Sequence, residues 1–368
     1  MPKRILLINW RDIRNPEAGG AEIYYHEIFR RLAGRGWEIT VLSHRFRGAP
    51  REETIDGIRV VRRGGKYLFN YEIMPWVARR AAAFDLVVED LNKLPFFTPL
   101  YLAARRLHLV MHFFGASIYR ETIFPLASYV FLMEKLVPLF YRGESFVAIS
   151  NSTRDEITGF GVPVDKVQVV EPGIDIAAYA QAGPKAAVPT IMFIGRLMKY
   201  KNVQFVIRAL PQIRKTVPDL VFIVAGNGPY IHELRRICRA AGLENAVRFE
   251  GMVSEERKRQ LLGSAHLLVN PSAKEGWGIN NIEANLCGTV SLSADTAGLR
   301  DSVRDGVTGL LYRPGDTGDF CNKVRQLLTD SAARKTMETA AGQWARQFSW
   351  ESIADRMELV IRRHLEKP

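Results

Sequence analysis

The sequence predicts two doubly wound α/β domains in tandem, and three observations predict them. Short β-rich runs alternate with helix-like stretches along residues 1–176, an Ala/Gly/Pro-rich segment without apolar periodicity interrupts the pattern at 177–189, and the alternation then restarts and continues to residue 348. A length of 368 residues also exceeds what one hydrophobic core usually organises. Residues 349–368 close the chain as a separate helix.

In the first domain, strands are predicted at 5–8, 39–42, 58–61, 86–88, 107–111, 146–149 and 167–170. Between the first two, Tyr25, Ile28, Phe29 and Leu32 recur at helical spacing before Gly34 and Gly36 stop the helix, so the opening unit reads β–loop–α–β. The second domain carries strands at 190–194, 220–225, 247–249, 267–269, 290–292 and 309–311, with helices at 203–215 and 231–241. In residues 350–365, Ile353, Met357, Val360 and Ile361 share one face and predict an amphipathic helix. Two such domains are expected to place a ligand cleft beside their sheet edges.

Hydrophobic residues at 47% and charged residues at 24% exclude a disordered, collagen-like or polytopic membrane chain. Cys238, Cys287 and Cys321 lie far apart and form no CxxC pair, which argues against a disulfide framework or a cysteine zinc site. The apolar start at 5–9 is too short for a signal-peptide core, so a cytoplasmic protein is expected. A net charge of +12 points to anionic partners: nucleic acid, an acidic lipid surface or phosphorylated small molecules. The excess is spread over both halves, without the basic tail that wraps nucleic acid, and no nucleic-acid partner is expected.

The richest segment is Glu275-Gly276-Trp277-Gly278-Ile279-Asn280-Asn281-Ile282-Glu283-Ala284. It follows a predicted strand and enters a helix, so its glycines permit close backbone approach and the helix start offers unpaired N–H groups to ligand oxygens. Gly19-Gly20 has a similar place before the first helix. Gly226-Asn227-Gly228 fails as a dinucleotide fingerprint, because Ile231 occupies the position of the third glycine.

These segments, with Cys287-Gly288-Thr289, Gly306-x-Thr308-Gly309-Leu310-Leu311, Ala148-Ile149-Ser150-Asn151-Ser152, Glu171-Pro172-Gly173-Ile174-Asp175, Gly195-Arg196-Leu197 ahead of Lys201, Phe249-Glu250-Gly251-Met252-Val253 and Phe348-Ser349-Trp350, resemble the family 4 retaining glycosyltransferases. The resemblance covers most of the chain. It implies the GT-B fold, two Rossmann-like domains facing each other across a cleft, with the C-terminal helix packing back toward the first. It further implies a nucleotide diphosphate sugar as donor substrate, a hexose-type sugar transferred to a hydroxyl, and no metal or other cofactor; the absence of any Asp-x-Asp fits that last point.

By the same resemblance Glu275 lies against donor sugar hydroxyls, and Glu283 binds the ribose. Arg196 and Lys201 take the diphosphate, where charge builds as the glycosidic bond breaks. Gly19, Gly20, Gly276, Trp277, Gly278 and Ile279 line the donor, and backbone groups of Met252 and Val253 hold the base. A lone histidine beside a strand is most often a satisfied core residue; the family's habit of placing one here against the donor sugar adds His112, followed by Phe113-Phe114-Gly115, to the candidates. Asn280, Asn281 and Asn285 depart from the family pattern, and either tune donor choice or satisfy local backbone groups.

Arg45, Arg47, Arg51, Arg59, Arg62, Arg63 and Lys66 precede the aromatic stretch 67–76, a combination suited to an anionic interface. Residues 124–141 are apolar but carry Glu134 and Lys135, which excludes a membrane span. Peripheral attachment at the inner membrane face, with a lipid-linked or cell-surface glycan acceptor, is the resulting expectation. A nucleotide-sugar epimerase, a phosphorylase and a non-enzymatic anionic-surface binder remain as alternatives.

Overall fold

The computed structural model describes residues 2–91, 94–113, 115–120, 123–179 and 183–366. Phe114 and residues 180–182 of the expected linker lie outside them. The chain forms two compact units, residues 1–173 with 350–368, and residues 174–349.

The first unit is built on an eight-stranded sheet. Its strands are β1 (Arg4–Ile8), β2 (Glu38–His44), β3 (Glu52–Ile55), β4 (Ile58–Arg63), β5 (Leu86–Asp90), β6 (Arg106–Val110), β7 (Phe146–Ala148) and β8 (Val167–Val169), in the order β3-β4-β2-β1-β5-β6-β7-β8. All neighbours are parallel except the β3–β4 hairpin. β3 was not among the predicted strands. Its residues are too polar for a core strand, but an edge position tolerates them, and Asp56 and Gly57, at φ 47° and 81°, turn the chain back into β4.

Buried Leu6, Ile8, Leu42 and Val61 form one core face with Phe69, Ile73 and Val77. The stretch 67–76 is therefore only partly a surface: Phe69 and Ile73 are core residues, while Tyr67, Leu68 and Tyr71 are exposed. Arg62 is likewise withdrawn from the basic surface. Its guanidinium is fully buried and forks onto Asp12 at 2.7 Å for both bonds, with Glu53 2.5 Å away. An isolated charge could not be buried at that depth; two carboxylates make it tolerable.

The terminal helix Trp350–Glu366 buries Ile353, Ala354, Met357 and Ile361 and belongs to the first unit. It lies on helix Gly20–Gly34, where Arg31 meets Glu351 at 2.9 Å and Arg35 meets Asp355 and Glu358 at 2.7 and 2.8 Å.

The second unit is a six-stranded parallel sheet of β9 (Thr190–Ile194), β10 (Val221–Ala225), β11 (Val247–Gly251), β12 (Leu267–Asn270), β13 (Val290–Ala294) and β14 (Gly309–Tyr312). Its order, β11-β10-β9-β12-β13-β14, reverses direction between β9 and β12. Strands β9, β10 and β12 are apolar nearly throughout, and β13 is buried at every position, as a sheet covered on both faces requires. Part of the segment read as a linker is tied to this unit: Lys185 Nζ donates to the carbonyls of Ala265 and Gly288 and to Thr289 Oγ1, each at 2.7 Å. Burial pushes the Lys185 amine down to about 8.

Candidate active site

In an open α/β sheet, loops at the carboxyl ends of strands diverge where the strand order reverses, and ligands settle there. In the second unit this point lies between β9 and β12, and the loops following those strands carry Arg196, Lys201 and Glu275. Lys201 ends a short 3-10 turn, Lys199–Lys201, before helix Val203–Arg214. Its Nζ donates to Glu275 Oε1 at 2.5 Å, and both side chains are largely buried. The loops are also joined through the backbone, since Ala273 N–H donates to Tyr200 O at 3.0 Å. Arg196 is exposed and, among the described residues, makes no ion pair. It is the adaptable cation of the pair.

Helix Ile279–Leu286 begins at Gly278, whose φ of 80° is left-handed. A Cβ there would lie 2.8 Å from both Leu299 Cδ2 and Ser302 Oγ, so only glycine starts this helix without strain. Gly276 and Ile279 lie in the same loop and first turn, with the open N–H groups of a helix start. Trp277 turns away: its ring is buried and meets Phe348 edge-on at 4.8 Å, leaving only its backbone to this loop. The asparagines that depart from the family pattern have structural partners in two cases. Asn280 Nδ2 donates to Ile194 O, the last carbonyl of β9, at 2.7 Å, and Asn281 bonds Ser302 and Ser293 at 2.9 and 3.2 Å. Asn285 is buried with neither amide atom hydrogen-bonded.

Glu283, one turn into the helix, is buried. Its Oε1 accepts from Tyr179 Oη at 2.7 Å and from Lys258 Nζ at 2.9 Å, whereas Oε2 is buried without a hydrogen-bond partner. Burial and the Glu283 charge raise the Tyr179 phenol far above its usual value. Burial opposes the charge on Lys258, but Glu283 and Glu255 outweigh it and raise its pKa. Cys287 is pushed up to about 12 by burial and the Glu283 charge, which makes it an inert thiol. Sequence reasoning missed Tyr179 and Lys258, as neither sits in a motif and the fold alone brings them to Glu283.

Met252 and Val253 follow the carboxyl end of β11, and Met252 is 82% exposed. Gly226 and Gly228 are explained without a ligand: a Cβ on either would lie 2.0 Å from Gly195 O or 2.4 Å from Leu197 O. Gly19, Gly20 and His112 are carried by the first unit. The glycines are exposed between β1 and helix Gly20–Gly34, with Gly19 N–H donating to Glu22 Oε2 at 2.7 Å, and His112 is partly buried just beyond β6.

A parallel sheet whose reversal point holds a paired cation and carboxylate beside an open helix start has the chemistry that suits an anionic, hydroxyl-rich ligand. Comparison with known proteins is specific about the family. Residues 18–178 match the family model described as Glycosyltransferase Family 4, and residues 178–344 match the model described as Glycosyl transferases group 1. Together these cover residues 18–344, and the chain belongs to the family 4, group 1 glycosyltransferases; it is an enzyme of that class.

It is 27% identical over 386 residues to a glycogen synthase of Mycobacterium tuberculosis (strain ATCC 25618 / H37Rv), covering 95% of this chain and 92% of the relative. It is 31% identical over 218 residues to a D-inositol 3-phosphate glycosyltransferase of Kribbella flavida, covering 54% and 51%. Among solved structures, Anabaena Alr3699/HepE in complex with UDP and glucose superposes with a TM-score of 0.73 at 19% identity, over 98% of this chain and 100% of that one. Sucrose-phosphate synthase from Thermosynechococcus elongatus gives 0.77 at 20% identity, over 98% of each. These likenesses show the fold, GT-B, with two Rossmann-like α/β units.

Proposed function

We propose that this glycosyltransferase moves a hexose-type sugar from a nucleotide diphosphate sugar to a hydroxyl of a lipid-linked or cell-surface glycan precursor, with retention and without a metal ion. The observation that carries the reading is the Lys201–Glu275 pair at the β9/β12 reversal. Lys201 is a fixed cation for the leaving diphosphate, joined by the adaptable Arg196, and Glu275 is an acceptor for sugar hydroxyls. As the bond from the anomeric carbon to the diphosphate breaks, the acceptor oxygen bonds that carbon from the same side. Its proton passes to a diphosphate oxygen, so no protein nucleophile is needed. Cations held in place before the reaction stabilise the growing charge with little reorganisation.

The unpartnered Oε2 of Glu283 supports ribose binding, because a sugar hydroxyl would satisfy a buried oxygen that the protein leaves unpaired. Structures of Anabaena Alr3699/HepE with UDP-glucose fit the same donor class. Thermal-shift screening of the chain against a panel of nucleotide sugars tests the reading. One of them should raise the midpoint by several degrees, and no response to any member would remove the donor assignment.

Peripheral membrane association is part of the proposal. No helix among the described residues is long and apolar enough to cross a membrane. Helix Phe124–Phe140 nonetheless exposes Phe124, Leu132 and Leu139, and the Tyr71–Tyr129 hydroxyl contact of 2.6 Å joins it to exposed Tyr67 and Leu68. Such an apolar strip suits a membrane surface. In flotation with anionic vesicles the wild type should rise with the lipid, and Phe124→Ser/Leu139→Ser should stay behind; a wild type that stays behind removes the membrane claim.

A further inference from the structure

A concavity of about 590 Å³ in the first unit lies along the β4 side of its sheet, beside helix Met74–Arg80. Its wall runs from Arg4 and Glu38, at the amino ends of β1 and β2, along β4 to Arg63 at that strand's carboxyl end. It shares no lining residue with the site proposed for the donor. The lining is basic and aromatic. The guanidinium carbons of Arg63 and Arg80 lie 5.4 and 4.8 Å from the centroid of the Trp76 ring, which restrains both cations by cation–π attraction. Arg59, on the same face of β4 as Arg63, also lines the pocket and meets Glu52 at 2.8 Å.

Among the described residues, neither Arg63 nor Arg80 makes an ion pair. Glu52 is held below its usual value by the Arg59 hydrogen bond, with the charges of Arg59, Arg63 and Arg80 adding to it. Two positive charges are left uncompensated there, the complement of a phosphate dianion, and guanidinium forks match phosphate oxygens in geometry. The volume falls within the range of pockets for small organic ligands.

We propose that this pocket binds a phosphate-bearing ligand, gripped by Arg63 and Arg80 with Trp76 against its body. The test is calorimetric titration of the full chain with inorganic pyrophosphate in an Arg196→Gln/Lys201→Met background, which silences the cations at the β9/β12 reversal. Saturable binding is expected, weakened about tenfold or more by Arg63→Gln/Arg80→Gln. It should be unaffected by Arg45→Gln/Arg47→Gln, which removes equal charge from exposed positions outside the pocket. All four side chains are exposed, so the variants should keep the wild-type melting midpoint.

Vesicles of phosphatidylglycerol and phosphatidylcholine form the second arm. If they bind in an Arg63- and Arg80-dependent way while pyrophosphate does not, the phosphate comes from a lipid headgroup and the pocket stands. Equal weakening by both arginine pairs, or no Arg63/Arg80-dependent binding of either probe, overturns the proposal.

Discussion

Glu283→Gln is the most discriminating perturbation of the proposed donor site. Glutamine keeps one oxygen for Tyr179 and Lys258, so the local frame survives, and Lys258 retains Glu255 at 2.6 Å. What changes is the second position, where a buried carboxylate oxygen without a partner becomes an amide nitrogen that cannot accept a hydroxyl proton. A hydrogen bond to a charged group contributes about 1.5–3 kcal/mol, and each 1.4 kcal/mol is tenfold in affinity, so the variant should bind nucleoside diphosphate about ten- to a hundredfold more weakly.

The assay is titration calorimetry with the nucleoside diphosphate that responds best in the screen, repeated with its 2′-deoxy and 3′-deoxy forms. One deoxy form should lose affinity against the wild type by a similar factor, and lose almost nothing further against Glu283→Gln. That cycle isolates the contact between Glu283 and the ribose from any general loosening of the helix. If both deoxy ligands lose the same factor in the two proteins, Glu283 does not touch the ribose, and its unpaired oxygen needs another explanation.

Other perturbations separate chemistry from architecture. Lys201→Met and Glu275→Gln should each lower turnover about 10²–10³-fold, as removal of a preorganised charge does, with the double variant little worse than either because the two act as one pair; wild-type rates in both single variants would discard the assignment. Gly278→Ala should cost about 1–3 kcal/mol through its left-handed backbone and the 2.8 Å contacts of its new Cβ, read as a fall in the melting midpoint. Gly20→Ala should melt like the wild type, since its Cβ would meet no atom within 4 Å, and should lose activity only if a ligand approaches there.

The buried His108 predicts a pH effect on stability. Burial opposes its charge, but Glu144 at 3.1 Å and Glu89 at 3.3 Å outweigh it and raise its pKa. The contribution is full below the usual histidine value of about 6.5 and is lost as pH climbs through the raised value in the fold. Burial also opposes the charge on Glu144, yet hydrogen bonds from His108 and Arg106 hold it down to about 2, so its contribution is full above the usual carboxylate range and lost as pH falls through that value. Urea midpoints at about pH 5.5 should exceed those at about pH 8.5, and His108→Gln should flatten the difference.

Much of this architecture was legible because it depends on local pattern. Fully buried parallel strands are apolar nearly throughout, so β1, β9 and β12 stand out from their neighbours in the chain. β3 obeys a different rule: at a sheet edge its Glu52-Glu53-Thr54 need not be apolar, and the readable signal was the Asp56-Gly57 turn rather than the strand. Arg62 was misplaced on a basic surface for a related reason. Nothing adjacent in sequence reports that Asp12, in the loop after β1, stands ready to neutralise it.

The site residues divide in the same way. Glu275, Gly278 and Glu283 share one segment with a recognisable order of glycines and acids, whereas the partners that hold those acids are supplied by topology. Lys201 and Glu275 are 74 positions apart, and they meet because β9 and β12 are neighbours and their outgoing loops flank the point where the strand order turns. Tyr179 and Glu283 are 104 apart and meet because the segment entering the second unit is bound against the helix that begins at Gly278. A motif names the groups that can touch a ligand, but which of their atoms remain unsatisfied depends on these long-range partners. The single unpaired oxygen of Glu283 is therefore a property of the fold, and it is the atom on which the ribose assignment rests.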